Sequence, residues 1–233
     1  MNKIISIITI NYNNSIGLKK TISSVLSQDC YDCLEYVIVD GNSSDNSLNI
    51  LNKLPKEVIW ISEKDRGISH AFNKGIRLTS GKYILMLNSG DVLASKDTVK
   101  RVIDDIEQNN ADIIGYRVKV NNRLFIPYLD SQEKVWEKCE MAHQGTFVSK
   151  KVYDEIGGYS EEYKIRMDYH FFSRCRNFGF SFIYIPRVIA FYEADGISMR
   201  KENRVKFWKE GMSVKFLYNI PCNIKDFLKM LIY

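Results

Sequence analysis

The first 110 residues alternate between short apolar runs and longer segments with helical spacing, and this alternation limits the fold more than any other feature. Four apolar runs, at 4–10, 35–39, 58–61 and 83–87, are typical of buried strands. Between them, apolar residues recur at three- and four-residue intervals, as expected for helices. Strands and helices in this order form parallel βαβ units with right-handed crossovers. The pattern therefore predicts an α/β fold around a mostly parallel, Rossmann-like sheet with helices on both faces.

The second half of the chain is more mixed. Strands are predicted at 113–120, 124–126, 145–148 and 180–185, and helices at 150–156 and 168–178. Asn121 and Asn122 separate the first two of these strands and favour a hairpin turn. Because no repeat or low-complexity linker interrupts the chain, we predict one domain over 1–198 and a C-terminal helical tail over 199–233.

The predicted tail holds the excess positive charge. The chain has a formal net charge of +5, and residues 199–233 contain eight basic and three acidic residues, so the domain before them is balanced. A balanced domain disfavours nucleic acid as a partner. The tail interleaves aromatic and aliphatic residues with its lysines. It therefore fits a basic amphipathic helix that lies on an anionic membrane surface, or one whose apolar face packs on the domain or on a second subunit.

The five cysteines are scattered and odd in number, which argues against a disulfide framework and favours a reducing compartment. No stretch approaches about 18 consecutive apolar residues, the length needed to span a membrane. The short apolar run at the start is rich in isoleucine and fits a first strand better than a signal peptide. We therefore expect a cytoplasmic protein, peripheral on the inner face of the membrane if the tail binds lipid; the oligomeric state is left open.

Polar side chains follow each of the first four predicted strands. They are Asn11 to Asn13, Asp40 to Asp45, Glu63 to Gly67, and Asn88 to Asp91. In an open parallel sheet these positions meet at one edge, where ligands bind. Asp40 and Asp91 directly follow buried strands, where an unpaired carboxylate is costly. Two carboxylates suit a divalent cation with a polar ligand such as ribose or phosphate. The glycine-rich phosphate loops of kinases and NAD enzymes are absent.

Six segments in order resemble glycosyltransferase family 2. They are IISIITINYNN, TISSVLSQ, YVIVDGNSSDNSL, SEKDRGISHAFNKGI, GKYILMLNSGDV and AHQGTFVSKKVYDEIGGYSEEYKIRMDYHFFSR, and together they cover roughly residues 3–198. The resemblance implies a single-domain GT-A fold and a hexosyl- or N-acetylhexosaminyltransferase. It also implies a nucleotide-sugar donor, by preference a UDP-sugar, and Mn²⁺ or Mg²⁺. The implied acceptor is a glycan, lipid-linked, in the synthesis of bacterial surface polysaccharide such as O-antigen, capsule or exopolysaccharide.

The same resemblance assigns roles to individual residues. The nucleotide-sugar-binding positions are Tyr12, Asn13, Asp40, Asp65, Arg66 and Asn88. Asp91 matches the metal-binding acid of the family's DXD-type motif, whereas Gly90 stands where the family usually has a second acid. His143 and Gln144 match the segment that lines the acceptor and diphosphate side. Asp168 matches the general base, and a single base opposite the leaving group implies inversion of the anomeric centre.

Other interpretations of these residues stay open. Asp168 also suits the N-cap of a helix, and His143 also suits a buried core position. A catalytically degenerate sugar-nucleotide-binding or scaffold protein of a glycan-assembly complex is favoured by Gly90 and disfavoured by Asp91 and Asp168. A nucleotidyltransferase is disfavoured because the loop after the first strand is neither glycine-rich nor basic.

Overall fold

The computed structural model describes residues 3–120, 123–125, 141–192 and 201–220. The strands are β1 (Ile5–Asn11), β2 (Leu34–Asp40), β3 (Ile59–Ser62), β4 (Tyr83–Met86), β5 (Val92–Leu93), β6 (Ile113–Val120), β7 (Arg123–Phe125), β8 (Thr146–Ser149) and β9 (Phe182–Tyr192). The helices are α1 (Ser15–Leu26), α2 (Ser47–Leu51), α3 (Ile68–Leu78), α4 (Thr98–Asn109), α5 (Lys150–Ile156), α6 (Met167–Asn177) and α7 (Arg204–Leu217). Short 3₁₀ turns lie at Tyr31–Cys33, His143–Gly145 and Lys201–Asn203.

All nine strands belong to one sheet, in which the order is β3-β2-β1-β4-β8-β6-β9-β5 and β7 pairs with β6. β1 is parallel to both β2 and β4, and β2 is parallel to β3. β8 is antiparallel to both of its neighbours, so β6 runs in the same direction as β4, and β9 is parallel to β6. β5 is antiparallel to β9, and β7 to β6. Six of the nine described strands thus share one direction, as predicted for a mostly parallel sheet, and β5, β7 and β8 make the sheet mixed.

Both faces of the sheet are covered by helices, as predicted. One core contains Leu18 and Val25 of α1 with Val102 of α4, all fully buried. The other contains Phe72 of α3 and Phe171 of α6, also fully buried. The strands are apolar on both faces of the sheet. The helices on each side bury their apolar side chains against these strands, away from water, and so stabilise the sheet.

The second half departs from prediction at β9. The predicted strand at 180–185 stops before Pro186, whereas β9 continues to Tyr192 and pairs with the whole of β6. The register shifts where β6 passes Pro186, since Ile185 pairs with Tyr116 and the next pair joins Val188 to Arg117. A bulge tolerates the missing proline N–H, so the strand resumes beyond it. The predicted turn residues Asn121 and Asn122 lie outside the described residues, although β6 and β7 pair antiparallel as in a hairpin.

The described part of the C-terminal segment packs against the domain. Val214 of α7 is fully buried in the core that also contains Phe171 and Phe172 of α6. At the end of α7, Phe216 is 90% exposed and Leu217 is 58% exposed. None of the helices in the described ranges is both long and apolar enough to cross a membrane. The domain boundary after residue 198 stays a prediction.

Candidate active site

Asp40, at the end of β2, is completely buried and ties three strand ends together. Its carboxylate accepts hydrogen bonds from Asn11 Nδ2 at 2.7 Å, from the backbone N and the Oγ of Ser43 at 2.9 and 2.6 Å, and from Ser62 Oγ at 2.7 Å. Burial alone would raise the pKa of Asp40, but the hydrogen bonds from Ser43, Ser62 and Asn11 outweigh it and lower the pKa. Asp40 is therefore an ionised carboxylate that holds the loop after β2.

Gly41 brings Tyr12 and Asp65, two predicted donor-binding residues, to the same place. A methyl group on Gly41 would lie 3.2 Å from Tyr12 Cδ2 and 2.9 Å from Asp65 Oδ2. The Tyr12 side chain is otherwise open to solvent, with 69% of its surface exposed. An exposed ring and a carboxylate that meet over a bare backbone leave a flat surface and hydrogen-bonding groups for a planar, polar ligand.

Asp65 is held by a lysine that the sequence patterns did not single out. Lys74 of α3 is 5% exposed, and its Nζ lies 2.7 Å from Asp65 Oδ1 and 2.9 Å from Glu63 Oε1. It also donates to the carbonyl oxygen of Lys64 at 2.9 Å. Lys74 falls on the apolar face of an amphipathic helix, and a buried lysine needs an acidic partner. This position could have indicated from the sequence that Lys74 pairs with a nearby acid. Lys74 fixes the loop that presents Asp65.

Arg66 and Asn13 use their side chains within the protein. The guanidinium of Arg66 makes two hydrogen bonds, of 2.9 and 2.8 Å, to the carboxylate of Glu161. Asn13 adopts a left-handed backbone with φ 48°, and its Oδ1 accepts a 2.8 Å hydrogen bond from the backbone N of Ser44. The structure thus places both residues beside the strand ends, where Arg66 links its loop to the segment before α6 and Asn13 links the loops after β1 and β2.

The loop after β4 carries Asp91 in a fixed position. Asp91 is 6% exposed, and its Oδ2 accepts a 3.0 Å hydrogen bond from the backbone N of Asn88. Thr21 of α1 donates to the carbonyl oxygen of Asp91 at 2.7 Å and accepts from the backbone N of Gly90 at 2.9 Å. Gly90 has φ 106°, a conformation that side-chain-bearing residues rarely adopt. The backbone conformation at this position therefore explains why a glycine stands where an acid was expected.

His143 connects this loop to Asp168. Its Nε2 lies 3.1 Å from Asn88 Nδ2, and its Nδ1 lies 3.6 Å from Asp168 Oδ2. The 3.6 Å between Nδ1 and Asp168 Oδ2 is longer than a hydrogen bond, and Nδ1 is buried without a hydrogen-bond partner among the described residues. His143 is therefore hydrogen-bonded to Asn88 and lies next to Asp168. Phe72 packs edge-on against the ring at 5.5 Å between centroids. The three side chains Asn88, His143 and Asp168 form a continuous polar row, and Gln144 is buried beside it in the same 3₁₀ turn.

Asp168 lies in the first turn of α6 and is ionised. Burial alone would raise the pKa of Asp168, but the adjacent His143 ring, with smaller contributions from the charge of Arg166 and the backbone N–H of Tyr169, lowers it. Its side chain keeps 27% exposure, so a ligand can reach it. Asp168 accepts from the next residue's N–H at 2.7 Å and thus combines a helix-start position with an exposed, anionic oxygen.

Tyr192, at the end of β9, lies within electrostatic reach of both Asp91 and Asp168. Burial, followed by the negative charges of Asp91 and Asp168, raises the pKa of Tyr192 to about 12. Sequence patterns did not single out Tyr192, because its strand was predicted to end at 185. The structure thus brings the loop after β4, the His143 turn, the start of α6 and the end of β9 to one region of the sheet edge.

The residues around Asp91 fit a divalent cation only if the bound ligand supplies most of its oxygens. Within residues 3–120, 123–125, 141–192 and 201–220, no three His, Cys, Asp or Glu side chains cluster closely enough to hold a metal ion. Asp91 offers one carboxylate, a hard oxygen donor of the kind that Mg²⁺ and Mn²⁺ prefer. Beside it, Asn88 Oδ1 is buried and has no hydrogen-bond partner among the described residues. This donor set suits a cation shared with a diphosphate.

Known proteins with related sequences are glycosyltransferases. An uncharacterized glycosyltransferase of Mycobacterium tuberculosis and the PGL/p-HBAD biosynthesis glycosyltransferase of Mycobacterium bovis are each 29% identical to the chain over 177 residues, which cover 73% of this chain and 68% of the relative. The uncharacterized glycosyltransferase EpsJ of Bacillus subtilis is 30% identical over 147 residues, or 60% of this chain and 42% of EpsJ.

Solved structures share the fold. TarS residues 1–349 from S. aureus in complex with UDP-GlcNAc match with a TM-score of 0.76 and 18% identity, over 97% of this chain and 68% of the TarS chain. The mannosyltransferase PcManGT from Pyrobaculum calidifontis, in complex with GDP-Man and Mn²⁺, matches with a TM-score of 0.71 and 18% identity, over 97% of this chain and 67% of PcManGT. These likenesses confirm the predicted GT-A fold.

The model of glycosyl transferase family 2 matches residues 6–161, which include β1 to β4, the Asn88–Asp91 loop and the His143 turn. The expected family and the expected class of enzyme are both confirmed, because the match spans more than half of the chain and the related sequences carry the same activity in their names. The chain belongs to glycosyl transferase family 2 and is a glycosyltransferase with a GT-A fold.

Proposed function

We propose that the protein is an inverting glycosyltransferase that moves a sugar from a nucleoside-diphosphate donor to a hydroxyl group of a glycan acceptor. One observation carries the proposal: the ionised and partly exposed Asp168 is joined through His143 to Asn88, at the start of the loop that carries Asp91. A carboxylate that accepts a proton thus faces the region where the strand ends bind the donor.

The reaction needs one proton acceptor. The acceptor hydroxyl attacks the anomeric carbon of the donor sugar, and Asp168 takes the hydroxyl proton. The bond from the anomeric carbon to the diphosphate oxygen breaks at the same time, and its electron pair leaves with the nucleoside diphosphate. Because a single base acts on the face opposite the leaving group, one displacement occurs and the anomeric configuration inverts.

The donor would bind along the ends of β1 to β4. Tyr12 and Asp65 meet over Gly41 and would contact the nucleotide, with Asp40 fixing the loop beneath them. Asn13 and Arg66 would close the adjacent loops, and Asn88 would contact the sugar or ribose. UDP-sugars are the proposed donors, since TarS, which shares the fold, was solved with UDP-GlcNAc. His143 and Gln144 would line the acceptor and diphosphate side.

A divalent cation, Mn²⁺ or Mg²⁺, would be held by Asp91 together with the donor diphosphate. When bound, it would neutralise negative charge on the leaving group. Support comes from the single oxygen-donor carboxylate at this position and from PcManGT, a fold relative solved with GDP-Man and Mn²⁺. Asp91 itself is positioned by the backbone N of Asn88, which orients its carboxylate before any ligand arrives.

We place the enzyme in bacterial surface-polysaccharide synthesis with a lipid-linked acceptor, on the cytoplasmic side of the membrane. A relative named for PGL/p-HBAD biosynthesis supports a role in a biosynthetic pathway. The C-terminal segment supports contact with a membrane surface, because the basic α7 ends in the exposed Phe216 and Leu217. Flotation with anionic vesicles tests this contact: replacing both residues with serine should reduce binding, and unchanged binding would exclude this part of the chain.

The proposed function is tested by nucleotide release from UDP-, GDP- and dTDP-sugars, with and without Mn²⁺. Release of nucleoside diphosphate with transfer of the sugar supports the proposal. Binding of a donor with no turnover by the intact protein would favour a degenerate sugar-nucleotide-binding scaffold, to which the loss of the second acid at Gly90 points. Release of pyrophosphate from a nucleoside triphosphate and a sugar phosphate would favour a nucleotidyltransferase.

A further inference from the structure

Glu210 of α7 binds the backbone immediately before the helix that carries Asp168. Its carboxylate accepts hydrogen bonds from the backbone N of Lys164 at 3.0 Å, of Ile165 at 2.9 Å and of Arg166 at 2.8 Å. The side chain of Glu210 is only 11% exposed. Three consecutive N–H groups that donate to one largely buried carboxylate form a strong, charge-assisted contact. The last of these N–H groups, that of Arg166, belongs to the second residue before Asp168.

Arg166 makes a second contact between the same two elements. Its guanidinium carbon lies 4.2 Å from the ring centroid of Tyr169 in α6 and 4.5 Å from that of Phe207 in α7. Cation–π contacts at these distances hold both rings against one side chain. The start of α6 is therefore clamped on its backbone by Glu210 and on its side chains by the ring of Phe207.

The start of α6 also lacks a local cap. Arg166 occupies the N-cap position and makes no side-chain capping bond, although N-cap side chains commonly fix this end of a helix. Glu210, which is 44 residues further along the chain, instead binds the N–H of the N-cap residue itself. The position of the first turn, and hence of Asp168, depends on α7.

We infer that Glu210 is a positioning residue for the general base, because its carboxylate sets where Asp168 lies relative to the donor. On this inference, α7 is part of the catalytic domain. This inference rests on the proposed function of Asp168 and goes beyond it, since the sequence predicts only a helical tail from 199, which lies on a membrane surface or packs on the domain or on a second subunit, and no part for it in catalysis. Proton abstraction is sensitive to the distance between base and hydroxyl. The hydrogen bonds and ion pair of Glu210 within the described ranges go to residues 164–166 and to Lys206, and none of them goes to a donor-binding strand end. Loss of Glu210 therefore affects kcat and leaves donor binding intact.

The test compares Glu210→Gln, which keeps the shape of the side chain, and Glu210→Ala with the wild type. Glu202→Gln is the matched control, because Glu202 lies in the 3₁₀ turn before α7 and is exposed. Hydrogen exchange of the full chain should speed up by about tenfold or more at amides 164–166 in the Glu210 variants. In nucleotide-release assays their kcat should fall on the order of 10²-fold with the donor KM unchanged, and more in the alanine variant than in the glutamine variant.

The outcomes separate this inference from the proposed function. Wild-type kcat in Glu210→Gln would overturn the inference, whether or not exchange at 164–166 increases, because the contact would then be merely structural. A parallel loss of UDP affinity would also overturn it, since that result indicates general disruption of the fold. A wild-type chain that releases no nucleotide from any donor would overturn the proposed function first, and with it the base that Glu210 positions.

Discussion

The two halves of the proposed active site, the donor side and the base side, are built in different ways. On the donor side, Tyr12, Asp40 and Asp65 each lie at or shortly after the end of a strand. Nearby side chains hold the two acids through short contacts, such as Ser43 to Asp40 and Lys74 to Asp65. On the base side, three residues that are far apart in the chain act together. They are His143, Asp168 and Glu210, and Asn88 connects them to the donor side through His143. The topology of a parallel sheet sets the donor side, whereas tertiary packing sets the base side.

This difference predicts two kinds of variant. Substitutions on the donor side should change nucleotide affinity and leave the chemical step nearly intact. Substitutions on the base side should change kcat and leave nucleotide affinity intact, because the contacts that position the base do not include the loops after β1 and β2. A variant that changes both quantities together would break the comparison.

The largest effect is expected for Asp168→Asn, which keeps the shape of the side chain but removes the base. Sugar transfer should fall by about 10²- to 10⁴-fold, the usual contribution of a general base, while UDP affinity measured by calorimetry stays unchanged. Asp154→Asn is the matched control, since Asp154 is an exposed acid of α5 whose side chain is 64% exposed. Near-normal turnover by Asp168→Asn would remove this residue from the role.

Asp91→Ala should reduce activity on the order of 10²-fold and abolish stimulation by Mn²⁺, because the proposed cation then loses its protein carboxylate. Asp91 lies between the two halves: it follows a strand as the donor residues do, yet its charge acts on Tyr192 together with that of Asp168. Titration of nucleotide release with Mn²⁺ checks the prediction. If the wild-type protein releases nucleotide at its full rate in the presence of a chelator, the enzyme is metal-independent and Asp91 does not bind a catalytic cation.

His143→Ala should lower kcat by about tenfold, which corresponds to about 1.4 kcal/mol of lost support for the base, and should move the acid limb of the pH profile. The His143 ring lowers the pKa of Asp168, so its removal raises that pKa, and the base becomes protonated at a higher pH than in the wild type. Arg166 and the N–H of Tyr169 remain and keep part of the effect.

The measurement is the pH dependence of kcat in the two proteins. The acid limb of the variant should lie at higher pH, and the KM for the donor should stay unchanged. An acid limb at the same pH would show that His143 does not act on the base. The control is His70→Ala, because the His70 ring lies on the donor side, 3.5 Å from Asp65. The acid limb of this variant should lie at the same pH as that of the wild type.

The sequence alone places the predicted donor residues at strand ends and singles out Asp168 as the candidate base, and these roles stay predictions. It does not point to the residues that support Asp168. Each donor residue follows an apolar run, and strand ends converge by topology. The motif around Asp168 pointed to that residue, whereas Tyr192 was missed because Pro186 suggested an early strand end. No sequence pattern indicated a role for Glu210, because a single acid in a basic helix is usually a surface residue. Its role depends on the packing of α7 on α6, which the sequence does not show.

The smallest effect is expected for Gly41→Ala, on the donor side. The added methyl would lie 2.9 Å from Asp65 Oδ2, which Lys74 holds, and 3.2 Å from Tyr12 Cδ2, which solvent leaves free to move. The Asp65 carboxylate must therefore shift by a few tenths of an ångström, and the tyrosine ring moves aside with it. An overpacking cost of about 1 kcal/mol corresponds to roughly fivefold weaker UDP binding. Calorimetry with UDP and the kcat of nucleotide release check both quantities, with alanine at the exposed Asn46 of the same loop as the control. Weaker binding at an unchanged kcat would sharpen the division between the two halves, whereas a lower kcat at unchanged affinity would show that the loop after β2 acts on the chemical step.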